Sequence, residues 1–136
     1  MEDYNLEEDI PVICVVAESF PDGVKATHQK LHSLAPYANE RKYFAISWGK
    51  PDGSIHYQAA VNILTPEENN LEGTVPFTIR KGKYQMIIVK NYMQDLDSIG
   101  RTFKELLTVE DLDPEGYCLE WYLSDKEVRC MVPLRA

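Results

Sequence analysis

One offset, 75 residues, carries three successive stretches of this 136-residue chain onto one another. Ile13 falls on Ile88, Val24 on Ile99, His28 on Phe103 and Leu31 on Leu106; Phe44 then falls on Leu119, Ile46 on Trp121 and Trp48 on Leu123. Identities barely match, so the repeat is one of element order and not of sequence. A chain of this length is too short for two independent cores. The expectation is one domain over residues 1–136, with a first module at about 10–64, a connector at about 65–76 and a second module at about 77–134.

The elements follow from spacing. Pro11 to Ala17 is a β-branched run, and Asp22 is placed to cap a helix that carries Val24, His28, Leu31 and Leu34 and stops at Pro36. Tyr43 to Trp48 and Ile55 to Leu64 read as strands joined by the turn at Lys50-Pro51-Asp52-Gly53. The second module repeats this order. Tyr84 to Val89 is a strand, and Asp95 or Asp97 can cap a helix with Leu96, Ile99, Phe103, Leu106 and Leu107. Tyr117 to Leu123 and Val128 to Val132 then form a hairpin. Each module is therefore strand, helix, strand, strand, and the class is α+β with a mainly antiparallel curved sheet, pseudo-twofold symmetry, helices on one face and a ligand groove on the other.

Charge narrows the partners. The chain holds 22 acidic against 14 basic residues, a net charge of −8, which repels a phosphate backbone and argues against direct nucleic-acid binding. The start, Met1-Glu2-Asp3-Tyr4, lacks the basic and apolar regions of a signal peptide, and its acids read as a solvated tail. No apolar run is long enough to span a bilayer. Cys14, Cys118 and Cys130 lie in apolar runs without CxxC spacing and read as buried thiols. A cytoplasmic protein without membrane attachment is expected. His28 and His32 are four apart on the first helix but lack a third ligand, so no metal is expected. The seven glycines form no phosphate loop, no nucleophile elbow is present, and no cofactor is expected.

Period-two alternation sorts the strand residues into faces. Leu119, Trp121 and Leu123 share one face, as do Phe44, Ile46 and Trp48; these bulky rows are expected beneath the helices. The opposite rows, Cys118, Glu120 and Tyr122 with Tyr43, Ala45 and Ser47, are expected to line a groove. Glu120 stands out as the carboxylate in the middle of an apolar strand, where burial without a partner is costly. It is a fixed charge or a raised-pKa acid for a ligand, half of an internal pair with Arg129 or another base on a neighbouring strand, or a residue exposed at an edge. Tyr122, Tyr84 and Tyr43 are candidates to hydrogen-bond or stack. Tyr57 is a candidate for the groove's edge, and Trp48 enters the groove if the faces of the first module are reversed.

The run Lys81-Gly82-Lys83-Tyr84, the helix with Phe103 and Leu106, then Asp113-Pro114 and Leu119-Glu120-Trp121-Tyr122 resembles the signature half of the GyrI-like small-molecule-binding family. That family includes gyrase-inhibitory proteins and the effector-binding domains of AraC-type and MerR-type multidrug regulators. The likeness spans about residues 10–134 and is weaker in the first module. It implies a groove for lipophilic, cationic aromatic compounds, with Glu120 at the position of the family's pocket acid and Tyr122 as its partner. The regulators' DNA-binding domain has no counterpart here, so the resemblance implies a stand-alone binder, monomeric or homodimeric. It carries two alternatives: a hydrolase of strained electrophiles using Glu120 with Tyr122 or Tyr84, and a factor that acts on a protein partner, a regulator or gyrase. A binding role is expected ahead of an enzymatic one.

Overall fold

The computed structural model describes all 136 residues. In chain order the elements are β1 (Glu2–Leu6), β2 (Ile10–Val16), α1 (Val24–Leu34), β3 (Tyr43–Gly49), β4 (Ile55–Asn62), β5 (Val75–Ile79), β6 (Gly82–Lys90), α2 (Asp97–Leu106), β7 (Cys118–Tyr122) and β8 (Glu127–Pro133), with short 3-10 turns at Pro66–Asn70 and Tyr92–Gln94. The fold is α+β. The chain divides into two compact units, Ile10–Ile79 and a second made of Met1–Asp9 with Arg80–Ala136.

Within Ile10–Ile79 the strand order is β3-β4-β2-β5, and each pairing is antiparallel. Leu31 of α1, with Ala35 just beyond its end, packs on Ile13, Val15, Ala59 and Val61, with Leu34 and Tyr43 alongside. The helix stops where the Ala35 N–H donates to the Leu31 carbonyl at 2.8 Å and Pro36 has no N–H to continue the ladder. Its first turn differs from expectation. Gly23 is the N-cap and accepts no side-chain cap from Asp22; instead Thr27 Oγ1 donates to the Gly23 carbonyl at 2.7 Å. The segment after β4 is tied down by Arg41, whose two terminal nitrogens each donate to Glu68 at 2.8 Å.

Within the other unit the order is β1-β6-β8-β7, again antiparallel. Phe103 and Leu106 of α2 pack on Val128, Cys130 and Val132. The acidic start is not a free tail. It forms edge strand β1, with Tyr4 opposite Tyr84 and Leu6 opposite Gly82. Tyr4 and Leu6 alternate inward while Glu2, Asp3 and Asn5 stay in solvent, the two-sided pattern of an edge strand. The edge strand β5, holding Pro76, likewise extends the first unit beyond the expected connector. Helix α2 begins after Leu96 with no side-chain cap, and Asp95 pairs instead with Arg101 at 2.5 Å.

The facing of the strands reverses the sequence expectation in both units. Cys118 and Tyr122 pack with the α2 cluster, and Glu120, between them, shares their face. Tyr43 packs with the α1 cluster. The bulky rows Leu119–Trp121 and Phe44–Ile46–Trp48 therefore lie opposite the helices. Alternation alone could not decide this, because both rows are apolar; Phe44, Ile46 and Leu119 are fully buried on the far face as well. Helix α1 packs over Ala59 of β4 and Val15 of β2, and the large side chains of β3 take the other side.

Register corrects the duplication too. Ala45 pairs with Ala59 and Glu120 with Cys130, so the offset of 75 in β3 and β7 falls to 71 in β4 and β8. Val15 pairs with Ala59 and Ile87 with Cys130, an offset of 72. Ile13 thus corresponds to Gln85 and not to Ile88, which is exposed on the opposite face. No helix is long and apolar enough to cross a membrane.

Candidate ligand-binding site

Strand β7 is short and its register on β8 places Glu120 directly opposite Cys130 and Tyr122 opposite Val128. Residues two apart on a strand point the same way, so Tyr122 leans over Glu120 and its hydroxyl donates to Glu120 Oε1 at 2.6 Å. Glu120 is 7% exposed, among Cys118, Cys130, Tyr92 and Tyr122 on the α2 side of the sheet. Oε2 has no protein donor. No base acts on it: burial and the Tyr122 hydrogen bond are what shift its titration.

Arg129, the anticipated partner, is on the wrong face. It lies opposite Trp121, with its guanidinium carbon 4.7 Å from the Tyr4 ring centroid and 4.9 Å from that of Trp121. Burial pushes the Glu120 carboxyl up to about 7, against the lowering effect of the Tyr122 hydrogen bond. Near neutral pH the group is poised between neutral acid and uncompensated anion. Burial, with a smaller contribution from the Glu120 charge, lifts the Cys118 thiol to about 11, so Cys118 is held as a neutral thiol.

The other sequence candidates are distributed. Tyr84 is 1% exposed on the face opposite Glu120. Its hydroxyl donates to the Arg80 carbonyl at 2.6 Å and lies 2.7 Å from the Tyr117 hydroxyl, which accepts from the Arg80 N–H. Tyr84 therefore braces the turn before β6 and does not act with Glu120. Tyr43, Ser47 and Tyr57 share the α1 side of the other unit. Tyr43 stacks on His32 with centroids 5.2 Å apart, and Tyr57 bonds His28 at 2.8 Å and stacks on Phe20. Trp48 is on the far face, stacked on His56 at 4.2 Å.

Sequence reasoning missed Tyr92. This buried residue tilts against Tyr122 with centroids 5.8 Å apart, and its hydroxyl donates to the Ser124 carbonyl at 3.1 Å. The available signal was Asn91, which leaves β6 in the left-handed conformation at φ 56° and turns Tyr92 back over the sheet. No group of His, Cys, Asp and Glu is arranged to hold a metal ion.

No protein-family model and no curated protein matches the chain. Solved structures share its fold. An integron cassette protein from the mobile metagenome of Vibrio cholerae is 14% identical, aligns over 98% of this chain and 95% of that one, and has a TM-score of 0.68. SAV2435, solved bound to tetraphenylphosphonium, is 12% identical over 100% and 95%, with a TM-score of 0.66. A hydrolase from Listeria innocua is 12% identical over 98% and 90%, with a TM-score of 0.54. At such identities the likeness establishes the fold alone.

Proposed function

We propose that this chain binds small lipophilic aromatic cations, with Glu120 as the pocket acid and Tyr122 and Tyr92 as its aromatic cover. One observation carries the reading: a carboxyl held in an apolar, aromatic setting with no cation of its own. Such a group discriminates strongly for a cation over a neutral analogue, because the cation supplies the charge that the fold withholds. Two features support the class of ligand. The residues around Glu120 are aromatic or apolar, as in small-molecule sites generally. A protein of the same fold, SAV2435, is bound to tetraphenylphosphonium, a cation of this kind. The GyrI-like resemblance points the same way.

Tyr122 and Tyr92 lie against Glu120, so in this reading a ligand reaches the carboxyl by displacing that cover. Calorimetric titration with tetraphenylphosphonium at pH 8 tests the reading. Binding is expected in the native chain, weakened about tenfold or more in Glu120→Gln, in line with ~1.4 kcal/mol per factor of ten, and absent for neutral triphenylphosphine oxide. Equal affinity of the two proteins overturns it.

A second reading is favoured by the near-neutral titration of Glu120, which suits a general base, and by the hydrolase of the same fold from Listeria innocua. Water opening of a strained electrophile, abolished in Glu120→Gln, distinguishes it from binding alone. Tyr84 takes no part, since it lies across the sheet.

A further inference from the structure

A second feature lies in the same unit as Glu120 but at another place. An open depression of about 370 Å³ is lined by Arg80, Lys81, Gly82, Lys83, Tyr84, Asp113, Pro133, Leu134, Arg135 and Ala136. Four of the chain's 14 basic residues meet there, although the chain as a whole carries a net charge of −8. A single acidic side chain lines it, Asp113, which bonds the Arg80 guanidinium at 3.3 Å and also accepts from the Glu115 N–H. Asp9 is close by, and accepts the Lys81 N–H at 2.8 Å.

The floor is built, not incidental. The Arg80 guanidinium carbon lies 5.4 Å from the Tyr117 ring centroid. Beneath it the Tyr84 and Tyr117 hydroxyls form an ordered chain: the Arg80 N–H donates to Tyr117, Tyr117 donates to Tyr84, and Tyr84 donates to the Arg80 carbonyl. Arg80 is thus fixed at its backbone and supported below its side chain, which stays half exposed with donors to spare. Gly82 turns the chain between Lys81 and Lys83 at φ +135°, a conformation that disfavours any side chain. Arg135 is held by its N–H to the Asp111 carbonyl at 2.7 Å and by Nε to the Leu112 carbonyl, which leaves its terminal nitrogens free.

We propose that this depression is a binding site for a small phosphate-bearing anion. A preorganised guanidinium fork suits a phosphate bidentately, and Lys81, Lys83 and Arg135 add charge around it. The volume fits a small molecule and not a polymer. The site is separate from Glu120, so it stands whether or not the chain binds lipophilic cations.

The test is an NMR titration of the full chain with sodium pyrophosphate at low ionic strength. Saturable shifts confined to the Arg80–Lys83 and Leu134–Ala136 amides are expected. Affinity should fall about tenfold in Arg80→Gln and further in Arg80→Gln/Lys83→Gln, and stay unchanged in Lys25→Gln, an exposed lysine on α1. Absence of saturation, or equal affinity in the double variant with its amide spectrum otherwise intact, overturns the proposal. Lipid headgroups carry the same chemistry, so sedimentation with phosphatidic acid vesicles is the second arm. Pelleting without any response to free pyrophosphate would also overturn the assignment to a small free anion.

Discussion

The two units use equivalent positions for opposite purposes. In Ile10–Ile79 the helix and sheet are joined by a polar link: His28 on α1 bonds the Tyr57 hydroxyl on β4 at 2.8 Å. The equivalent residues of the other unit are Phe103 and Val128, which meet in the α2 cluster without a polar atom. One turn of sheet away the roles are exchanged. Ala45 and Ser47 form a small, quiet row in β3, while the equivalent residues of β7 are Glu120 and Tyr122. Burial taxes both polar insertions, pressing His28 down to about 4 and Glu120 up to about 7. The difference is that Tyr57 satisfies the neutral histidine, whereas the Glu120 anion has one hydrogen bond, from Tyr122, and no cation. A duplicated scaffold can thus hold a neutral, hydrogen-bonded histidine in one unit and a buried carboxyl without a cation in the other.

The strongest way to break this comparison is to copy the acid into the quiet unit. Ala45→Glu puts a carboxyl where the residue is fully buried, opposite Ala59 on the α1 side of its sheet. The expected loss is about 3–5 kcal/mol, from overpacking together with an unpaired buried polar group. Urea unfolding measures it, and a loss below about 1 kcal/mol would show that the β3 position tolerates an acid as β7 does.

Removing the acid from its own unit comes next. Because burial raises the Glu120 carboxyl in the folded chain, its stabilising contribution is complete below the ordinary carboxylate range and is lost as pH rises through about 7. Glu120→Gln should therefore match the native chain at pH 4 and exceed it at pH 8 by up to about 3 kcal/mol. Parallel stability curves for the two proteins between these pH values would mean that Glu120 ionises freely.

The smallest effect sharpens the polar link. Tyr57→Phe removes the partner of His28 and should cost about 1 kcal/mol at pH 8. His28, held below its ordinary range, contributes stability that is present above pH 6.5 and lost as pH falls toward 4. Burial and the neighbouring His32 set that titration, so the melting temperatures of the variant and the native chain should fall by similar amounts on acidification.

Local signals made much of this legible. Helical spacing located α1 and α2, turn residues located both hairpins, and the carboxylate in an apolar strand pointed to Glu120. What stayed hidden depends on contacts distant in sequence. β1 is a strand because β6 offers it an edge, and the acids of Glu2-Asp3 gave no hint of that. The face of Glu120 was misassigned because both rows of each central strand are apolar. Tyr84 was grouped with Glu120 because its side of the sheet depends on a register that shifts by three or four residues between the duplicated strands. Tyr92 was passed over because a left-handed Asn91, not a periodic pattern, directs it.

The most direct measurement is the titration of the Glu120 carboxyl carbon by NMR, in the free protein and with saturating tetraphenylphosphonium. The account predicts a midpoint near 7 in the free chain, shifted downward when the bound cation stabilises the anion. An ordinary carboxylate midpoint in the free chain, or one indifferent to the bound cation, would contradict it.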